Sequence, residues 1–256
     1  MVHKESGRVK NMEKMQKRLI GTIITLDSPQ VAEMMAQAGF DWVMIDMEHS
    51  TLSVADVQRH IQALQAETLS IVRVPSNDEV WIKRVLDTGC DGIMVPMVLT
   101  RTDAEKAVRA MRYPAEGARS IGVSRAHKWG LNFSNYLFRE SREVKLLVQI
   151  EHMEGVRNLD SIIAVEGISA IFIGPYDLSA SLGMTGEVNS EKVQAEIRTI
   201  KSKCREAGMP WGIFGMTPDV VSREITEGCT YALCGIDTVI LSKQAMTIVT
   251  ELKSVQ

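Results

Sequence analysis

Two carboxylates stand where chemistry would need them: Glu151 in the stretch KLLVQIEHMEG and Asp177 in IFIGPYDLSASLG. Leu146, Leu147, Val148 and Ile150 form an apolar run of the length and type of a buried parallel strand. Gln149 and Glu151 share one face of that run by period 2. Gly155 and a helical pattern (Val156, Leu159, Ile162, Ile163) follow. The next strand, Ile168 to Ile173, ends in Gly174-Pro175-Tyr176-Asp177. Neighbouring parallel strands lie about 4.8 Å apart, so Glu151 and Asp177 can converge on one ion. Singly, each has a structural alternative: Glu151 as a turn carboxylate, Asp177 as the N-cap of the helix LSASL. Together they are harder to dismiss, because both fall at the same end of consecutive strands. Two carboxylates completed by water suit a hard divalent cation, Mg²⁺ or Mn²⁺, better than zinc.

Two further strand ends are polar. The run Asp41 to Met47 passes straight into Asp46-Met47-Glu48-His49-Ser50. His49 is a candidate metal ligand or general base, with Asp46 near enough in sequence to orient its imidazole. The structural alternative is a hydrogen-bonded turn histidine. Arg73 closes the apolar run Leu69 to Val74, where a guanidinium must find an anion. That anion is either Glu48 or Glu151 in a structural ion pair, or a substrate carboxylate or enolate oxygen. The lysines inform by their positions. Imine chemistry needs a lysine desolvated in the interior, where its amine is neutral. Lys145 begins its strand, Lys83, Lys106 and Lys192 lie in helical patterns, and Lys128 lies in a loop. This favours metal-assisted over imine chemistry. Among the other histidines, His127 has the best claim to a site.

These ends need a sheet that gathers them, and the chain supplies one. Strand patterns at Leu19–Leu26, 41–47, 69–74, Gly92–Pro96, 145–150, 168–173, Met209–Phe214 and Tyr231–Cys234 alternate with helical patterns. Ser28-Pro29, Ser53 and Gly39 mark helix boundaries. Eight units in 256 residues give about 32 residues each, the step of a (β/α)8 barrel, whose function belongs at the carboxyl ends of its strands. A doubly wound sheet would be favoured by an early GxGxxG, which is absent. Residues 1–18 read as a charged lead-in, and 19–256 as one barrel. The rhythm breaks only at 112–142, a glycine-, arginine- and aromatic-rich insertion of the kind that more often serves as a functional loop or lid than as filler.

Composition excludes several classes. A net charge of −3 with no basic block argues against nucleic-acid and membrane partners. No apolar run approaches a membrane span. Cys90, Cys204, Cys229 and Cys234 contain no CxxC pair and read as buried thiols of a cytoplasmic protein.

The joint pattern GFDWVMIDMEHS, VRVP, GCDGIMVPMV, YPAEGARSIG, LLVQIEHMEG and IFIGPYDLSASLG resembles the HpcH/HpaI aldolases, class II pyruvate aldolases of the phosphoenolpyruvate/pyruvate barrel superfamily. The resemblance runs from Gly21 to about Ile240. It implies reversible retro-aldol cleavage of a 2-keto-4-hydroxy acid to pyruvate and an aldehyde. It implies that Glu151 and Asp177 hold Mg²⁺, Mn²⁺ or Co²⁺, that Arg73 stabilises the enolate, and that His49 paired with Asp46 is the acid/base. Gln149, Gly174 and Pro175 would line the pyruvate site, and Asp87 would reach a neighbouring subunit's site. A hexamer or trimer with the last helix exchanged between subunits is also implied. The sequence departs from the family at Gly21-Thr22-Ile23, Met47 and Arg119-Ser120, which bears on the aldehyde half. Other chemistries of the superfamily, lysis of an acyl-CoA hydroxy acid or decarboxylation through the same enolate, come second. A barrel that only binds comes third.

Overall fold

The computed structural model describes residues 18–64 and 67–255, so the expected N-terminal lead-in lies almost wholly outside the described residues. Eight parallel strands close into a barrel in sequence order. They are β1 (Leu19–Ile24), β2 (Trp42–Asp46), β3 (Leu69–Arg73), β4 (Gly92–Val95), β5 (Lys145–Ile150), β6 (Ala170–Ile173), β7 (Trp211–Gly215) and β8 (Tyr231–Ile236). A helix or helix pair follows each strand, from Pro29–Gln37 after β1 to Asp237–Lys253 after β8.

Period 2 sorts the strand residues into two cores. Val43, Ile45, Val72, Ile93, Val95, Leu146, Val148, Ile171 and Ile173 face outward and pack under the helices. Ile23, Trp42, Met44, Ile71, Met94, Leu147, Phe172, Tyr231 and Leu233 fill the interior. The Trp42 ring sits edge-on to Tyr231 and Phe172, with centroids 5.8 and 6.5 Å away. Gly21 makes room for it, because a Cβ there would strike the indole. Extending the inward series toward the carboxyl ends gives the catalytic candidates in register. Trp42 and Met44 lead to Asp46, Leu69 and Ile71 to Arg73, Leu147 to Gln149 and Glu151, and Ala170 and Phe172 to Gly174.

The insertion at 112–142 differs from the expectation of a lid. It follows the helix Arg101–Met111 and precedes β5, so it lies against the amino-terminal rim of the barrel, away from Glu151. It is folded and pinned there. Arg112 Nη1 donates to the Ser141 carbonyl at 2.8 Å and Arg125 Nη1 to the Thr88 carbonyl at 2.7 Å. Arg119 is buried between the rings of Tyr113 and Tyr136 and pairs with Asp87 at 2.7 Å.

Candidate active site

The carboxyl mouth of the barrel opens into a cavity of about 700 Å³. Asp46, His49, Arg73, Gln149, Gly174, Pro175 and Asp177 line it, so seven of the expected residues meet in one place. Glu151 lies buried just beneath. One oxygen of Glu151 accepts a hydrogen bond from the Met97 backbone N–H at 2.8 Å, and the other accepts from Gln149 Nε2. Gly174 must be a glycine, since a Cβ would sit 2.6 Å from Glu151 Oε2 and 2.9 Å from Gln149 Nε2.

The electrostatics of this corner are strained. Burial above all, with the charges of Glu48 and Asp177 adding to it and the Met97 N–H and Arg73 opposing, pushes the Glu151 carboxyl up to about 7. Glu48 is also raised, first by burial and then by Asp46 and Asp177, while Arg73 opposes. Carboxylates crowded in this way are ordinarily relieved by a cation. Among the described residues, no three histidine, cysteine, aspartate or glutamate side chains converge as a full ligand set. The two carboxylates Glu151 and Asp177 are a donor set that fits a hard cation keeping several waters, and the buried, unpartnered Gln149 Oε1 lies on the residue that bonds Glu151.

Arg73 is gripped by its own strand neighbours. Its Nε and Nη2 donate to the two oxygens of Asp46 at 2.9 and 2.7 Å, and Nη1 lies 3.2 Å from Glu48 Oε2. Burial opposes the guanidinium charge, but Asp46, Glu48 and Glu151 outweigh it and hold the group above its ordinary value. This corrects the expected Asp46–His49 pair. Asp46 is engaged by Arg73, and it meets the turn only through the backbone N–H groups of Glu48 (3.0 Å) and His49 (3.4 Å). The His49 imidazole is largely exposed, and its Nε2 lies 3.7 Å from Glu48 Oε2. Glu48, not Asp46, is the carboxylate that faces the ring.

Three residues fall elsewhere. Asp87 ends the helix Glu79–Asp87, which leads back into β4, so it sits at the opposite rim on Arg119. His127 is enclosed beside that rim, between Ser124 Oγ at 2.9 Å and the Tyr113 hydroxyl at 3.2 Å. Burial and the nearby Arg119 lower its pKa. Lys201 is a buried lysine that the sequence reading passed over. It pairs with Glu224 and Glu227 over the Trp211 ring, outside the barrel. No lysine lines the cavity among the described residues.

Met97 was also missed. It serves through its backbone, held at φ 52° just after β4. A non-glycine residue in that region carries strain of the kind that gathers at functional sites. Residue type carries no signal for a backbone donor.

Residues 20–243 match the family model described as HpcH/HpaI aldolase/citrate lyase. The chain belongs to this family. It is a carbon–carbon lyase. A hydroxypyruvate/pyruvate aldolase of Pseudomonas aeruginosa is 38% identical over 88% of this chain and 84% of its own length. A 4-hydroxy-2-oxo-heptane-1,7-dioate aldolase of Shigella sonnei is 39% identical over 88% of this chain and 87% of its own. The crystal structure of a family protein from Burkholderia cenocepacia superposes with a TM-score of 0.90 at 29% identity, covering 95% of this chain and 99% of that one.

Proposed function

We propose that the protein cleaves a 2-keto-4-hydroxy acid reversibly to pyruvate and an aldehyde, with Glu151 and Asp177 holding a divalent cation, Mg²⁺, Mn²⁺ or Co²⁺. The observation that carries the reading is the corner itself, where crowded carboxylates face a charged arginine in a cavity that no described lysine lines. Bound there, the cation would polarise the keto group and stabilise negative charge as it develops. Arg73 presents a preorganised positive charge, held by Asp46 and Glu48, toward the developing enolate oxygen. Gln149 offers its amide to the pyruvate half, and Gly174 and Pro175 bound it with backbone. His49 takes the proton from the C4 hydroxyl in cleavage and returns it in addition, with Glu48 facing its ring.

The reading extends to assembly and setting. The last helix, Asp237–Lys253, exposes Leu241, Met246, Ile248, Val249 and Leu252, and a second copy that covers them would give the trimer or hexamer. In that assembly Asp87, held out by Arg119 at the far rim, serves a neighbour's site. The four cysteines are free thiols, three of them buried, in keeping with a cytoplasmic enzyme. No described helix is long and apolar enough to cross a membrane.

Incubation with a panel of 2-keto-4-hydroxy acids and each of the three metals tests the function. Pyruvate release from at least one acid is expected. No release from any of them would reject the reading.

A further inference from the structure

The cavity has two unlike walls. The strand ends of β2, β3 and β6 bring every charged group among the described lining residues, and β1, β7 and β8 bring none. The facing wall is Ile23 from β1, Phe214 from β7, and Leu233 and Ile236 from β8. Tyr176 extends it at the mouth, with its ring 6.3 Å from that of Phe214. The rim beyond is made by Thr25 and Thr238, which both donate to the buried Asp237 carboxylate, so it carries no positive charge. Arg73 is the sole arginine or lysine among the described lining residues, and it lies on the polar wall, held there by Asp46 and Glu48.

The pyruvate half must lie against the polar wall, so the rest of the substrate lies along the apolar one. This step rests on the aldolase reading above. We propose that the aldehyde taken by this enzyme is uncharged and carries an apolar chain or ring, with Ile23, Phe214, Ile236 and Tyr176 setting that preference. A carboxylate at the far end of the aldehyde would lose water against this wall, on which no described lining residue is an arginine or lysine. In the addition direction, C3 of pyruvate gives up a proton and its electron pair forms the bond to the aldehyde carbon. The aldehyde oxygen takes up a proton and becomes the C4 hydroxyl. No electrons leave or enter, so the choice of aldehyde is a matter of fit alone.

Succinic semialdehyde and its methyl ester differ by one charge at nearly one shape. Addition of pyruvate to each, with metal saturating, gives the ratio of kcat/KM values that reads the preference. The ester is expected to be favoured by about tenfold, and pentanal to react at least as well as the acid. Parity or a preference for the acid would overturn the proposal while leaving the aldolase reading intact. Oxaloacetate decarboxylation on the same preparation reports the pyruvate half separately. No product from any aldehyde, with oxaloacetate also untouched, would overturn the aldolase reading and this proposal with it. Placing a cation on the wall should erase the preference. Phe214→Arg tests its centre, and Thr238→Arg, at an exposed rim position, tests it where folding is not at stake. Each is expected to shift the ratio toward the acid by about tenfold. An unchanged ratio in both variants would show that the aldehyde does not lie along this wall.

Discussion

Asp46 and Arg73 stand opposite each other in the register of β2 and β3, and the carboxylate takes both prongs of the guanidinium, at 2.9 and 2.7 Å. The pair fixes the plane of the arginine inside the mouth and leaves the His49 ring to Glu48. A planar fork explains why arginine stands here, because an ammonium cannot hold two oxygens in that geometry. Arg73→Lys is therefore expected to be nearly as damaging as Arg73→Ala. Loss of a preorganised donor of this kind typically lowers rate by about 10²–10³. Steady-state kcat for pyruvate release in both variants checks this, and near-normal turnover in the lysine variant would reduce Arg73 to a structural partner.

His49 separates two reactions that share an enolate. Aldol cleavage needs a proton removed from the C4 hydroxyl, whereas decarboxylation of oxaloacetate needs none. His49→Ala is expected to lose roughly 10²–10⁴ of aldolase activity and keep most of the decarboxylase. Glu48→Gln should fall between, since Glu48 faces the ring and also supports Arg73. Equal loss of both activities in His49→Ala would mean that His49 holds the site together and moves no proton.

No lysine reaches the cavity among the described residues, and buried Lys201 is held by Glu224 and Glu227 outside the barrel. Borohydride added with pyruvate should leave the protein's mass unchanged. A stable pyruvyl-lysine adduct would overturn the mechanism.

The thiols should be silent. Burial pushes the Cys90, Cys204 and Cys229 thiols up to about 12, and raises that of Cys234, which is half-buried. The thiolate is the reactive form, so a disulfide reagent at pH 8 is expected to leave the three buried thiols untouched in the folded protein and to modify all four cysteines after unfolding. Rapid native reaction of Cys90 would contradict the packing beneath β4.

The barrel was legible because each strand announces itself twice, as an apolar run and by the turn residues that follow, and Gln149 and Glu151 already shared a face by period 2. The mouth was legible for the same reason, since inward positions of β2, β3 and β5 continue into Asp46, Arg73 and Glu151. Pairing within the mouth was not. Asp46 lies three residues from His49 in sequence but one strand from Arg73, and register across the sheet decided the matter. The 112–142 segment has the composition of a functional loop or lid, and composition carries no position. Its place after a helix puts it at the opposite rim. Met97 acts through its amide, and a backbone donor leaves no trace in residue type.

The central claim is that Glu151 and Asp177 hold a divalent cation on which cleavage depends. The direct measurement is pyruvate release by the wild-type protein and by Glu151→Gln, each after exhaustive chelation and again after Mg²⁺, Mn²⁺ or Co²⁺ is restored. The account predicts that chelation abolishes wild-type turnover, that restored metal recovers it, and that Glu151→Gln stays inactive at metal levels that saturate the wild type. Full turnover in either protein after chelation would contradict it.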